Sequence, residues 1–280
     1  METKWVKRPP LCDTHVHSQN SHDSTAPVRD MAVAGIKNGV SVLSVTDHCD
    51  IQYYEKCNVR AGIEASVTET ERTAEEFAGQ ITVLKGIEVG EGLWNSAHTD
   101  EILNAFSYDV IIGSVHAVRY KSYTDPYSTI DFSKMSSEDL DGYLSLYFDE
   151  VLETVRQIPC DVMAHLTCPL RYINGKYGLG ADVKKYEEKI SRILAHIIKH
   201  SVAMEINTSG IGAAYGRFMP DAWIVKKYRE LGGRLVTLGS DAHLPENVGN
   251  GFDEAVALLK ECGFKAYYYF QNRTAIPVEL

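Results

Sequence analysis

The chain has 280 residues, of which 44% are apolar and 24% charged, and its formal net charge is −10 at pH 7. This composition is typical of a globular protein with a full hydrophobic core, and the acidic excess argues against nucleic acid as a partner, because phosphate backbones are bound by clustered basic side chains. No apolar run reaches the ~18 residues that a membrane span needs, and residues 1–5 lack the apolar core of a signal peptide, so we expect a cytoplasmic location.

Short apolar strands alternate with helical patterns from one end of the chain to the other. The predicted strands are 11–17, 42–48, 82–90, 109–116, 161–165, 203–207 and 235–243. The predicted helical segments are 28–36, 63–77, 140–155, 186–197, 223–231 and 252–262. A polar insertion (117–134), a Gly-rich loop (171–180) and an apolar tail (266–270) complete the chain.

This alternation predicts parallel βα units, and seven of them favour a barrel over an open sheet. An open doubly wound sheet usually carries a Gly-rich phosphate loop after its first strand. Here His15-Val16-His17 occupies that position instead. We therefore predict one α/β domain with a TIM-like barrel.

Potential metal ligands end nearly every predicted strand, at the edge where (β/α) barrels carry their active sites. His15 and His17 are two residues apart in a strand and so point to the same side. The other candidates at this rim are His22 on the first loop, then His48, Glu88, His116, His165, Asp241 and His243. A single histidine at a strand end is more often structural than a ligand, but seven of the ten histidines fall at this one edge.

Imidazole and carboxylate ligands suit Zn, Mn or Fe better than Mg or Ca, which prefer shells of oxygen. Nine ligands are too many for one ion and fit three. The sequence therefore predicts three divalent transition-metal ions at the carboxyl ends of the strands.

These motifs resemble the PHP (polymerase and histidinol phosphatase) superfamily over nearly the whole chain. The motifs that carry the resemblance are His15-Val16-His17, Thr46-Asp47-His48, Gly86-Ile87-Glu88, Gly113-Ser114-Val115-His116, Ala164-His165 and Gly239-Ser240-Asp241-Ala242-His243. Two further segments, 205–210 and 248–253, resemble its histidinol-phosphate phosphatase branch. The resemblance implies a distorted (β/α)7 barrel that spans residues 1–280 as one metal-dependent phosphatase domain.

The resemblance also implies how the ligands are shared among three ions. One ion takes His15, His17, Glu88 and Asp241; a second takes Glu88, His116 and His165; the third takes His22, His48 and His243. Position 22 has an alternative, because the neighbouring Asp23 matches relatives that carry Asp in this loop. Glu88 bridges two ions, and Glu88, Asp241 and His243 are the expected catalytic residues.

The implied reaction is hydrolysis of L-histidinol phosphate, a small-molecule substrate, in histidine biosynthesis. A metal-bridging water attacks phosphorus, and its proton loss is favoured by the cations. Arg171 and Arg217 are the candidates to bind phosphate through paired guanidinium donors, with Arg119 a weaker third. A metal-bound water, Asp241 or His243 would protonate the leaving alkoxide.

Two rim carboxylates, Glu91 and Asp50, are candidate acceptors for the amine of the substrate. The main alternative function is a phosphoesterase of the same family acting on a nucleotide or sugar phosphate. A non-catalytic metal-binding scaffold is disfavoured, because no expected ligand is missing. These patterns do not specify the oligomeric state.

Overall fold

The computed structural model describes residues 10–280, whose parallel strands form a nearly closed barrel. The barrel strands are β1 (Leu11–Val16), β2 (Val40–Val45), β3 (His48–Asp50), β4 (Thr82–Gly90), β5 (Val110–Ser114), β6 (Val162–Met163), β7 (Ala203–Asn207) and β8 (Val236–Gly239). They pair in the order β1-β2-β4-β5-β6-β7-β8, and β3 pairs with β4 beyond the end of β2. β2 and β3 thus occupy the same one of the seven strand positions in the barrel.

The barrel closes where the chain after β8 meets β1. Val16 and Ala242 form a parallel bridge. The His17 N–H donates to the Ala242 carbonyl at 2.9 Å, and the Asp241 N–H donates to the His15 carbonyl at 2.8 Å. These bonds join the first and last parallel strands, so the predicted α/β TIM-like barrel is confirmed.

Helices surround the barrel and connect its strands. They are α1 (Val28–Lys37), α2 (Val59–Glu76), α3 (Ser96–Ala105), α4 (Ser137–Gln157), α5 (Glu187–His200), α6 (Ala222–Glu230) and α7 (Phe252–Glu261). In α4 the side chains of Leu144, Tyr147 and Val151 recur at helical spacing and are buried. The Ser136 hydroxyl accepts from the Asp139 N–H at 3.0 Å and caps the start of α4.

A two-stranded hairpin, β9 (Ala266–Gln271) and β10 (Thr274–Glu279), packs against the beginning of β1. The buried Tyr267 hydroxyl donates to the Pro10 carbonyl at 2.7 Å and accepts from the Cys12 N–H at 3.1 Å. The hairpin therefore covers the amino-terminal end of the barrel, opposite the rim where His15 and His17 lie.

The structure departs from the predicted elements in places where tertiary contacts interrupt the local pattern. The predicted strand 42–48 is split into β2 and β3: the Thr46 N–H still donates to Val16 of the neighbouring β1 at 2.8 Å, and the next carbonyl, that of Asp47, accepts from the Glu88 N–H of β4 at 3.2 Å. α3 was not predicted, and the predicted tail is a hairpin. The predicted loop 171–180 contains a π-helix, Arg171–Lys176.

No helix within residues 10–280 is both long and apolar enough to cross a membrane. The prediction of a cytoplasmic location rests partly on residues 1–5, which lie outside the described part of the chain, and it stays a prediction.

Candidate metal centre

β1 delivers two histidines to the interior of the rim, as its alternation predicts. His15 and His17 are both fully buried, and their Nε2 atoms are 3.0 Å apart. Each ring is held through its other nitrogen, since His15 Nδ1 lies 2.6 Å from Glu205 Oε1 and His17 Nδ1 lies 3.2 Å from Ser21 Oγ. Both Nε2 atoms therefore face the same space at the end of the barrel.

Glu88, near the end of β4, lies at the centre of the histidine cluster and is fully buried. Its Oε1 is 2.9 Å from His165 Nε2 and 3.2 Å from His116 Nε2. Its Oε2 is 2.8 Å from His48 Nδ1 and 3.5 Å from His15 Nε2. One carboxylate thus contacts histidines from four different strands or strand ends, as a bridging ligand must.

The segment after β8 adds a second carboxylate and another imidazole. Asp241 Oδ1 lies 3.2 Å from His17 Nε2, and the His243 ring stacks on the His17 ring with centroids 4.2 Å apart. Asp241 adopts a φ of 53°, a left-handed conformation uncommon for a residue other than glycine. Strain of this kind is typical of functional sites, where the surrounding structure holds it in place.

The first loop presents two candidate ligands in different positions. The Asp23 carboxylate lies 3.2 Å from His243 Nε2 and 3.6 Å from His48 Nε2. The His22 side chain is 54% exposed, and its Nδ1 is 3.9 Å from Asp50 Oδ2. Asp23 thus contacts both other histidines predicted for the third ion, whereas the His22 ring faces the His48 ring with centroids 5.2 Å apart.

Orphaned buried atoms and the chemistry of the donor set indicate that this cluster accommodates cations. Within residues 10–280, His165 Nδ1 is buried without a hydrogen-bond partner, and Glu88 Oε2 and His48 Nδ1 lie 2.8 Å apart without the geometry of a hydrogen bond. This is a costly state for buried polar atoms unless something else satisfies them. Five groups bring three potential ligand atoms within 4.8 Å of one another: His17-His48-His243, His15-His17-Asp241, His15-Glu88-His165, His48-Glu88-His116 and Asp50-Glu91-His116. Imidazoles and carboxylates together fit divalent transition metals.

The carboxylates of the cluster are held in their anionic form. Burial alone would raise the pKa of Glu88, but the imidazoles of His116, His15 and His48 hold this pKa well below its ordinary value. Burial likewise opposes ionisation of Asp241, and the charge of His15 with hydrogen bonding to His17 keeps its pKa low. Both side chains are therefore anionic near neutral pH, the state that binds a cation.

The two carboxylates considered as amine acceptors make internal hydrogen bonds instead. Asp50 Oδ1 lies 2.9 Å from His116 Nδ1, which leaves His116 Nε2 facing Glu88. Glu91 Oε1 accepts from the backbone N–H groups of His116 at 2.5 Å and Ala117 at 2.8 Å. Burial raises the pKa of Glu91 to about 7. Asp50 borders the cavity above the cluster, but Glu91 is not part of its lining.

Two further buried carboxylates were missed by the sequence analysis. Glu205 in β7 contacts His15, and Asp47 accepts from the Ser18 N–H at 2.6 Å and the Ser66 hydroxyl at 2.5 Å. The sequence does contain a signal for Glu205, because it is an acidic residue inside an otherwise apolar predicted strand. Buried carboxylates rarely occur without a partner, so an acidic residue at this position predicts a partner inside the barrel.

A cavity of about 640 Å³ opens above the cluster. Its lining includes Asp241 and Arg171, and Arg171 Nη1 donates to Ser209 Oγ at 3.0 Å. Arg217 is not part of the lining; its side chain is 65% exposed and lies 3.6 Å from Asp221 Oδ2. The structure thus brings Arg171 to the site and leaves Arg217 at the surface. Arg119 also lies outside the lining and stacks on Trp94 at 4.1 Å.

The chain is similar to known proteins over most of its length. The family model described as "PHP domain" matches residues 13–209. The chain is 29% identical to the protein named "Probable histidinol-phosphatase" of Thermotoga maritima over 271 residues, which cover 96% of this chain and all of that protein. It is 26% identical to the histidinol-phosphatase of Lactococcus lactis subsp. lactis over 257 residues, 90% of this chain and 91% of that protein.

The fold is shared with a solved structure. The crystal structure of histidinol phosphate phosphatase from Lactococcus lactis subsp. lactis, complexed with Zn, L-histidinol and phosphate, superposes with a TM-score of 0.77. The match covers 95% of this chain and 98% of that one at 20% sequence identity.

Proposed function

Because the chain belongs to the PHP domain family, we propose that it is a metal-dependent phosphatase that hydrolyses L-histidinol phosphate to L-histidinol and phosphate. The observation that carries the proposal is the buried cluster of imidazoles and carboxylates at the floor of a cavity whose wall holds Arg171. Two relatives aligned over at least 90% of this chain are named as histidinol-phosphatases. The structure with the same fold holds Zn, L-histidinol and phosphate.

We propose that the cluster holds three divalent transition-metal ions, with Zn, Mn and Fe as the candidates. The proposed ligands of the first ion are His15, His17, Glu88 and Asp241; those of the second are Glu88, His116 and His165; those of the third are His48, His243 and a residue of the first loop. For that last position the distances favour Asp23 over His22, because the Asp23 carboxylate lies near both His48 and His243.

When bound, divalent ions of this kind stabilise charge on phosphoryl oxygens and lower the pKa of a bound water to near neutrality. The residues of the chain orient the phosphate group of the substrate. Arg171 offers a forked set of donors to the phosphate, and Ser209 fixes its guanidinium, since Ser209 Oγ lies 3.0 Å from Arg171 Nη1.

Because Asp241 is anionic near neutral pH, its proposed role is to orient the water whose proton reaches the leaving alkoxide. Its carboxylate borders the cavity, and its Oδ2 accepts weak hydrogen bonds from Asn207 Nδ2 at 3.3 Å and Ser209 Oγ at 3.4 Å. His243 is less suited to this role, because its Nδ1 lies 2.9 Å from the Asp241 carbonyl and its Nε2 faces Asp23.

The cavity volume of about 640 Å³ suits a small molecule rather than a polymer chain. We propose that residues 1–280 form one phosphatase domain. This is supported by the hairpin that returns from the end of the described chain to the start of β1 through Tyr267.

The decisive experiment compares kcat/KM for L-histidinol phosphate with kcat/KM for phosphomonoesters that lack the amine and the ring. A preference of several orders of magnitude is expected, because groups that recognise the amine and ring stay unpaired with truncated substrates. Equal rates across the panel would instead favour a general phosphoesterase. Purified protein should carry more than one transition metal per chain by elemental analysis, and one metal or none with full activity in chelator would contradict the proposed centre.

A further inference from the structure

We propose that Glu205 is a positioning residue that holds two metal ligands from different strands in the geometry the ions require. The proposal rests on the metal centre of the proposed function and concerns a residue outside the predicted ligand set. Glu205 belongs to β7 and is fully buried. Its Oε1 faces His15, and its Oε2 faces the His165 backbone and also accepts from Asn207 Nδ2 at 3.2 Å.

The first oxygen fixes the tautomer of His15. Glu205 Oε1 lies 2.6 Å from His15 Nδ1, a distance that fits an Nδ1–H donor to a carboxylate. When an ion occupies Nε2, the one proton that the ring retains resides on Nδ1, and Nε2 offers its lone pair to the ion. That Nε2 is the atom that faces Glu88 at 3.5 Å and Asp241 at 3.8 Å. A carboxylate on the far nitrogen of a ligating histidine is a known way to orient the ring and increase its basicity.

The second oxygen holds the backbone of another ligand. Glu205 Oε2 accepts from the His165 N–H at 2.8 Å. His165 has a φ of 22°, which is unfavourable for a residue with a Cβ. The hydrogen bond helps to retain this conformation, in which His165 Nε2 lies 2.9 Å from Glu88 Oε1. A single side chain thus connects the ends of β1 and β6 beneath the metal centre.

The neighbouring strand leaves room for this carboxylate. A Cβ added at Gly239 would lie 2.2 Å from Glu205 Oε1 and 2.7 Å from the His15 Cβ. Gly239 is not in a left-handed conformation, so alanine is excluded there by space and not by the backbone. Gly239→Ala therefore displaces the carboxylate while Glu205 itself remains. Because it also presses on the His15 Cβ, it supports the Glu205 variants and does not replace them.

A buried carboxylate could instead serve only the packing of the barrel, and Thr237→Val is the control for that role. Thr237 pairs with Glu205 across β7 and β8 and is fully buried. Its Oγ1 has no hydrogen-bond partner within residues 10–280. Valine has nearly the same shape, so this variant changes a buried polar group beside Glu205 without touching a proposed ligand.

The test measures Zn²⁺ dissociation constants by chelator competition for the wild type, Glu205→Ala, Glu205→Gln, Gly239→Ala and Thr237→Val. We expect Glu205→Ala and Gly239→Ala to raise the dissociation constant of the affected Zn²⁺ ion by about 10- to 100-fold. Glu205→Gln should fall in between, because its single oxygen can replace only one carboxylate oxygen, either the one that faces His15 or the one that His165 and Asn207 share. Thr237→Val should stay within about threefold of the wild type.

A second readout reports on the tautomer directly. Long-range ¹H–¹⁵N spectra of histidine-labelled, Zn²⁺-loaded protein should show His15 protonated at Nδ1 in the wild type and a changed or mixed tautomer in Glu205→Ala and Gly239→Ala. Unchanged Zn²⁺ affinity and an unchanged tautomer in these variants, even with a lower unfolding temperature, would overturn the proposal. If Glu205→Ala does not fold, Glu205→Gln decides the question.

These measurements need no substrate, so the two proposals fail separately. A wild-type chain that binds Zn²⁺ but does not hydrolyse L-histidinol phosphate would refute the substrate assignment. The role of Glu205 would still be decided by the Zn²⁺ affinities of the variants. A wild-type chain without affinity for Zn²⁺ or another transition metal would overturn both.

Discussion

Replacement of Arg171 by alanine should lower kcat/KM for L-histidinol phosphate by roughly 30- to 1000-fold without loss of metal. The guanidinium borders the cavity beside Asp241, and the Ser209 hydroxyl at 3.0 Å keeps it in place. Loss of a forked, charge-assisted pair to phosphate costs about 2–4 kcal/mol, and each 1.36 kcal/mol corresponds to a factor of ten in rate. Arg171→Lys should recover only part of the loss, because an ammonium keeps the charge but not the fork.

The assay is the initial rate of phosphate release against the concentration of L-histidinol phosphate, with metal content measured on the same preparations. Arg119→Ala is the matched control, since Arg119 stacks on Trp94 outside the cavity lining and should change kcat/KM by less than about threefold. The reasoning would be refuted by an Arg171→Ala enzyme with normal kcat/KM and normal metal content, because phosphate would then be held by other groups.

Three further predictions concern the ligands and the second arginine. Glu88→Gln should lose at least one ion by elemental analysis, since loss of a unit charge about 4 Å from a divalent cation costs about 8 kcal/mol at an effective dielectric constant of 20; full metal content would contradict a bridging role. Asp23→Asn should reduce metal content more than His22→Gln, and the reverse order would return the ligand role to His22. Arg217→Ala should reduce kcat/KM less than Arg171→Ala, because the exposed Arg217 must first leave Asp221; an equal or larger loss would show that its loop closes over the substrate.

The fold was predictable because each βα unit has a local signature. β4 and β7 begin and end at the residues that the apolar runs indicate, and alternation alone places His15 and His17 on one side of β1. α3 was missed because the side chains it buries are Thr99 and Ile102, too few for a helical stripe. The ligands were predictable for a related reason, since parallel strands deliver their carboxyl ends to the same rim.

What the sequence by itself determined is therefore the set of strands, the barrel and the residues that reach its rim, since these depend on periodicities of a few residues. Only the tertiary structure decided which side chains meet across the rim. The separation of Asp23 from His243 depends on the path of the first loop, and the exposure of Arg217 depends on a loop that packs beyond β7. The contact of Glu205 with His15 joins residues 190 positions apart in the chain. Such contacts are fixed by closure and register of the barrel, for which no short stretch of sequence carries a signal.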